Sequence, residues 1–195
     1  PDHNGYYGAI ETSAGTISGG DVSFDVNGHL NIPLVDDVLS MRVVGYSSSD
    51  GGYVDNVLGS SFSGSYDNAD IVDEDFNTCD VTGGRIAVLW NISDDWSALM
   101  SHVTENSELE GSWDTDPDLG DYKITRFVDE MRDDDWYSSA FTLKGDLGFA
   151  DLSATVTHYG RDIVYLWDNH AYSQYKDAYY GYGLYDTDYT RSNIF

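Results

Sequence analysis

The sequence predicts an all-β chain, an antiparallel meander of about seven or eight long strands laid out like part of a transmembrane β-barrel. Three observations carry this reading. Apolar residues recur at every second position over long stretches, the connectors between those stretches are of two kinds, short and long, and the tryptophans gather where strands meet connectors. Hydrophobic residues make up 41% and aromatic residues 14% of the 195 residues, too many for an acidic disordered tail, so the chain folds, and it reads as one unit spanning 1–195.

The first element is the clearest. In VSFDVNGHLNIPL, residues 22–34, Val22, Phe24, Val26, Leu30, Ile32 and Leu34 alternate with Ser23, Asp25, Asn27, His29 and Asn31. Such alternation puts one apolar and one polar face on a single strand, about twice as long as a typical soluble strand. Next, Leu39, Met41 and Val43 alternate with Ser40 and Arg42, and Ile86, Val88, Trp90 and Ile92 with Arg85, Ala87, Leu89 and Asn91. Segment 96–105 mixes polar and apolar residues in both phases and is assigned to a strand from its neighbours. Tyr137, Phe141, Leu143 and Leu147 then face away from Trp136, Ser138 and Lys144, and Leu152, Ala154 and Val156 away from Ser153 and Thr155. On the long strand, Val22, Phe24, Val26, Leu30 and Ile32 are expected to face lipid, and Asp25, Asn27, His29 and Asn31 the lumen.

Short turns fall at 35–38, 93–95 and 148–149, and long polar connectors at roughly 59–82, 112–135 and 168–188. In an antiparallel meander alternate connectors share an end, which places the short turns at one rim and the long loops at the other, as in outer-membrane barrels. Trp90 and Trp96 bracket one short turn, while Trp113, Trp136 and Trp167 mark the loop ends, an arrangement expected of two interfacial girdles. No apolar run approaches the roughly 18 residues of a membrane-spanning helix.

Nine Lys plus Arg against 35 Asp plus Glu give a formal charge of −26, which excludes a nucleic-acid binder with a basic face and disfavours anionic ligands. Segment 67–80 carries six carboxylates and no Lys or Arg, and 114–135 carries nine, so 15 of the 35 acids lie in two connectors on the side assigned to the cell exterior. The chain starts at Pro1 without a basic, then apolar leader, which reads as a fragment or a processed product.

No catalytic signature is present, and the reading is not an enzyme. Cys79 is the single cysteine, His3, His29, His102, His158 and His170 show no ligand spacing, and no metal site or cofactor is expected. Asp114, Asp116 and Asp118 mimic the start of a calcium loop, but Leu119 and Thr125 stand where Gly and Glu are needed, so a solvated acidic loop is the better reading. Residues 172–189 hold seven of the 16 tyrosines. Tyr172, Tyr175, Tyr179 and Tyr180 are the candidate ligand contacts, as loop aromatics facing the exterior, because tyrosine offers a rigid amphipathic surface.

The stretch GHLNIPLVDDVLSMRVVGYSSSDGGYVDN, residues 28–56, resembles the start of the barrel in TonB-dependent outer-membrane receptors, through Asn31, Pro33, Leu34, Arg42, Gly51, Gly52, Tyr53, Asp55 and Asn56. GGRIAVLWNISDDWSALM, DPDLGDYKITRF and FTLKGDLGFADLSATVTHYGR look like further hairpins of the same family, so that the likeness spans about residues 5–165. The resemblance implies active uptake of a scarce small-molecule ligand, such as a ferric siderophore, cobalamin or an oligosaccharide, across the outer membrane of a Gram-negative bacterium. Its implied partners are outer-membrane lipid and the TonB complex, the latter through a plug region that this stretch lacks. Seven or eight strands against 22 in the large transporters imply a partial barrel, an open curved sheet in preference to a closed small barrel. Phe195 does not mimic a barrel's aromatic end, because Arg191 and Asn193 alternate with it. The alternative is a small complete barrel, a binding protein or porin-like outer-membrane protein with Trp and Tyr lining a pocket. A secreted calcium-binding adhesin is a third reading, with poor loop motifs.

Overall fold

The computed structural model describes residues 1–61, 64, 66–181 and 190–194. It is an antiparallel meander of seven long strands, with a short eighth at one edge. The long strands are β1 (Tyr7–Thr16), β2 (Val22–Val35), β3 (Leu39–Asp50), β5 (Cys79–Asn91), β6 (Trp96–Glu110), β8 (Met131–Asp146) and β9 (Asp151–Asp168). The short one is β10 (Thr190–Ile194), and two-residue strands β4 (Asp55–Asn56) and β7 (Lys123–Ile124) pair in parallel within the connectors. A helix, α1 (His170–Tyr180), follows β9. In the sheet each long strand pairs with the next long strand in the chain, and among the described residues β1 and β10 pair only with β2 and β9, so the sheet is open, as the sequence predicts.

The strand register sorts side chains onto two faces. One hydrogen-bonded row runs Ile32, Met41, Val88, Met100, Phe141, Val156, and the row beneath it Leu39, Trp90, Ala98, Leu143, Ala154. Since side chains alternate along a strand, these rows share one face. The opposite face carries Asn31, Arg42, Ala87, Ser101, Ala140 and Thr157 on a single row. Val22, Phe24, Val26 and Leu30 lie on the apolar face and are exposed, whereas Ile32 on the same face is half-buried. Asn31, on the polar face, is fully buried because residues 2–5 wrap around it: its Oδ1 accepts from the Asp2 amide at 3.1 Å and its Nδ2 donates to the carbonyls of Asp2 and Gly5, both at 3.0 Å.

Three aromatic rings lie over directly paired glycines, Tyr46 over Gly83, Trp96 over Gly145 and Tyr137 over Gly160. Each ring fills the space a missing Cβ leaves on a neighbouring strand. Trp90 and Trp96 sit on the apolar face near the short turns, as a girdle requires. Trp136 and Trp167 do not: Trp136 pairs with Glu105 on the polar face, and Trp167 shares the parity of Arg161. Proximity to a loop in the sequence carries no information about face, which a one-residue change in phase reverses.

The short turns after β2, β5 and β8 lie at one rim and the long connectors at the other, which also holds the five-residue turn 17–21 between β1 and β2, where the Asp21 amide donates to the Gly52 carbonyl at 2.9 Å. The strands rise further than alternation indicates: Met131–Asp135 and Cys79–Thr82 belong to β8 and β5, and β1 has only a weak pattern of its own. Above the apolar rows both faces of β3, β5, β6 and β8 turn largely polar, so hydrophobic period vanishes there while pairing continues, and β9 instead ends in the apolar run 163–167. The long connectors pack on each other. Val54, Leu109 and Ile124 are buried with Asn56, Ser61, Asn68, Asn77, Ser112, Arg126, Glu130 and His170, so most of the described interior lies at this rim and is largely polar. The legs of connector 51–78 cross so closely that a Cβ on Gly52 would lie 1.6 Å from the Asp75 carbonyl oxygen.

Candidate functional site

The long-connector rim is held by side chains that substitute for missing backbone partners. Asn56 Oδ1 accepts from the Arg126 amide at 2.8 Å, and its Nδ2 donates to the Ile71 carbonyl at 2.8 Å. Asn68 Nδ2 donates to the carbonyls of Val57 and Arg126 at 2.9 and 3.0 Å, while its Oδ1 accepts from the Gly59 amide at 2.7 Å. Asn77 Oδ1 accepts from the amides of Tyr53 and Val54, both at 2.7 Å. Irregular backbone can be buried only when its polar groups are satisfied, and three asparagines do this for connector 51–78.

A charged chain then ties the connectors to α1. Arg126 donates to Glu130 at 3.1 Å, Ser112 at 3.1 Å and Asp114 at 3.2 Å. Glu130 in turn accepts from the Asp168 amide at 3.0 Å. Asp168 accepts from the amides of Phe127 and His170 at 2.5 and 2.7 Å, and lies 2.9 Å from His170 Nδ1. His170 Nε2 hydrogen-bonds the Tyr66 hydroxyl, and Phe127 packs on the imidazole with ring centroids 4.8 Å apart. Asp168 thereby caps α1, whose first turn is further tied by the Ser173 hydroxyl donating to the Asn169 carbonyl at 3.1 Å. Beneath this network, Asn56, Ile71, Phe76, Gly111, Glu130 and Met131 line a cleft of about 320 Å³.

Below the rim the polar face carries fixed charges. Glu105 accepts from the Tyr46 hydroxyl at 2.6 Å and from Trp136 Nε1 at 3.1 Å, and Arg161 grips Asp134 through two nitrogens at 2.7 and 2.6 Å. On the apolar face, at the upper limit of the apolar rows, His102 and His158 flank Tyr137, and His102 Nδ1 lies 2.8 Å from the Ser139 hydroxyl.

The expected ligand tyrosines come together, but on a helix and not on an extended loop: Tyr172, Tyr175, Tyr179 and Tyr180 all project from α1 and are exposed. Tyr182, Tyr185 and Tyr189 lie outside the described residues, as does Phe195. Asp114, Asp116 and Asp118 do not converge, since Asp114 pairs with Arg126 and Asp116 Oδ1 accepts from the Asp118 amide. Among the described residues no group of three or more His, Cys, Asp or Glu side chains is arranged to hold a metal. The network residues Asn56, Asn68, Arg126, Glu130, Asp168 and His170 carry no sequence motif, and the i,i+4 spacing of Arg126 and Glu130 is their one local signal. The chain matches no family model, no curated protein and no solved structure.

Two outcomes follow for the rim. Arg126→Ala leaves Glu130 buried without its cation, and a loss of about 3–5 kcal/mol is expected in the rim, read as a rise in proteolysis of 111–130 ahead of sheet unfolding. Asp75 is raised above the ordinary carboxylate range by burial and by Asp55, Asp21, Glu74 and Asp73 around it. A raised carboxyl binds its proton more tightly folded than unfolded, so rim stability rises as pH falls from neutrality through that raised value. Asp75→Asn, which also suits the positive φ of 55°, should stabilise the rim at neutral pH by a few tenths of a kcal/mol after solvent screening and flatten this acid-side gain in thermal melts.

Proposed function

We propose that this chain forms part of the barrel wall of a TonB-dependent outer-membrane receptor, which takes up a scarce small-molecule ligand into a Gram-negative bacterium. The observation that carries the reading is the two-faced sheet: rows of apolar side chains on one face, charged and amide side chains on the other, and no apolar layer over the first among the described residues. In a soluble sandwich that face would be covered by a second layer. Against lipid it needs no cover.

The upper limit of the apolar surface supports the same reading. Phe24 is joined along its hydrogen-bonded row to Ser49, Asp80, Glu108 and Asp133. Apolar residues thus extend to the top of β2, whereas on β8 the apolar run ends at Tyr137, with Asp135 and Asp133 above it and Met131 beyond them at the strand's end. A level hydrocarbon layer crossing tilted strands cuts the rows obliquely in this way. The polar face, with Glu105, Arg161 and Asp134 held by hydrogen bonds, suits a water-filled lumen, and the segment at residues 2–5 lies against it.

The wall reading is tested by partitioning and by charge insertion. The chain should enter the membrane fraction and need detergent for extraction, whereas a soluble monomer without detergent would contradict the proposal. Val88→Arg, in the apolar rows, should cost about 2–4 kcal/mol in a bilayer, and Ser101→Arg on the other face far less. Urea unfolding from liposomes measures both.

A further inference from the structure

Helix α1 presents tyrosines in two strips at i,i+4 spacing. On one strip Lys176 Nζ lies 5.2 Å from the Tyr172 ring centroid and 4.8 Å from that of Tyr180, so two tyrosines already share an alkylammonium. On the adjacent strip the Tyr175 and Tyr179 rings are parallel to within 19°, with centroids 5.9 Å apart, and they are 56% and 70% exposed. This second pair has the ring chemistry of the first without a cation between its rings, and it keeps most of its surface in solvent although the Tyr179 ring meets that of Tyr180 edge-on at 4.8 Å.

The helix is also anchored at its start. His170 and Ser173 are buried on its inner side, with His170 fixed between Asp168 and Tyr66. These contacts fix the first turn of the helix that carries the tyrosines, which lowers the ordering cost of binding. Around it the long connectors are acidic: 51–78 has six carboxylates and no Lys or Arg, and 111–130 has six carboxylates against Lys123 and Arg126, the latter engaged with Glu130 and Asp114. This field draws cations toward the rim and repels anions.

We propose that the long-connector rim captures an organic cation, a ligand bearing an alkylammonium group, on the Tyr175 and Tyr179 rings of α1. The proposal rests on the transport reading only in taking this rim as the ligand side; the ring geometry and the charge are independent of it. A neutral ring compound could stack on the same tyrosines but would not respond to the acidic connectors.

The test titrates the full chain, in detergent micelles, with tetraethylammonium chloride by calorimetry, with maltotriose as the neutral comparison. Tetraethylammonium should bind, and its affinity should fall about threefold or more between about 50 and about 500 mM NaCl. The Tyr175→Ala/Tyr179→Ala double variant should weaken it about fivefold or more, and Tyr175→Phe/Tyr179→Phe should restore it, because the ring face and not the hydroxyl holds the cation. Circular dichroism verifies that α1 persists in both. No binding of tetraethylammonium at low salt, equal binding by the alanine variant, or binding of maltotriose in its place would each overturn the proposal. Detergent partitioning is unaffected by any of these results, so the wall reading stands or falls separately.

Discussion

Alternation in a β-strand commits every second side chain to one face, and in β2 through β9 the face so chosen carries Ile32, Met41, Val88, Met100, Phe141 and Val156 on a single row. Among the described residues nothing packs over it. The few buried apolar side chains, Val54, Ala87, Ala98, Leu109 and Ile124, are too small a core to hold an eight-stranded sheet in water. The hydrophobic stabilisation of this sheet therefore depends on what lies against its apolar face, and every other feature follows from that dependence. The opposite face is free to be polar, the short turns can be minimal at one rim, and many of the acids gather in the long connectors and on the strand ends beside them.

The rim solves a different problem. Its connectors are long, irregular and acidic, yet they bury backbone, which requires a partner for each amide and carbonyl. Asn56, Asn68 and Asn77 supply those partners, and Arg126 binds two acids of the same connector to one another. Asp168 then carries the network from the end of β9 into α1. The order of the rim thus comes from hydrogen bonds and charge, and that of the sheet below it from pairing and an apolar exterior. The two halves should respond to different perturbations, the rim to pH and single side-chain deletions, the sheet to detergent and lipid.

Much of this was legible in the sequence. Val22 to Leu34 alternates so regularly that strand, face and the exposure of Val22, Phe24, Val26 and Leu30 all follow from period two, and the contrast of short and long connectors gave the rims. Trp136 was misleading because its place beside a loop says nothing about the face it occupies; its neighbour Tyr137 is the ring on the apolar side. Helix α1 was hidden because HAYSQYKDAYY, rich in tyrosine, reads as a polar connector, while its cap is a bond from Asp168 that has no signature of its own. The network of Asn56, Arg126 and His170 was illegible for a deeper reason: the bonds that join one connector to another, Asn56 and Asn68 to Arg126 and Tyr66 to His170, link residues 58 to 104 apart along the chain. Only the fold brings them together.

The most direct test of the central claim places nitroxide spin labels one at a time on the two faces, in a Cys79→Ser background and in lipid bilayers. Labels at Val88, Met100 and Phe141 should relax strongly with oxygen, which dissolves in hydrocarbon, and weakly with a water-soluble nickel chelate. Labels at Ser101, Ala140 and Thr157 should show the reverse. Equal access of the nickel chelate to both faces would mean that the apolar face meets water or protein instead of lipid, and would contradict the account.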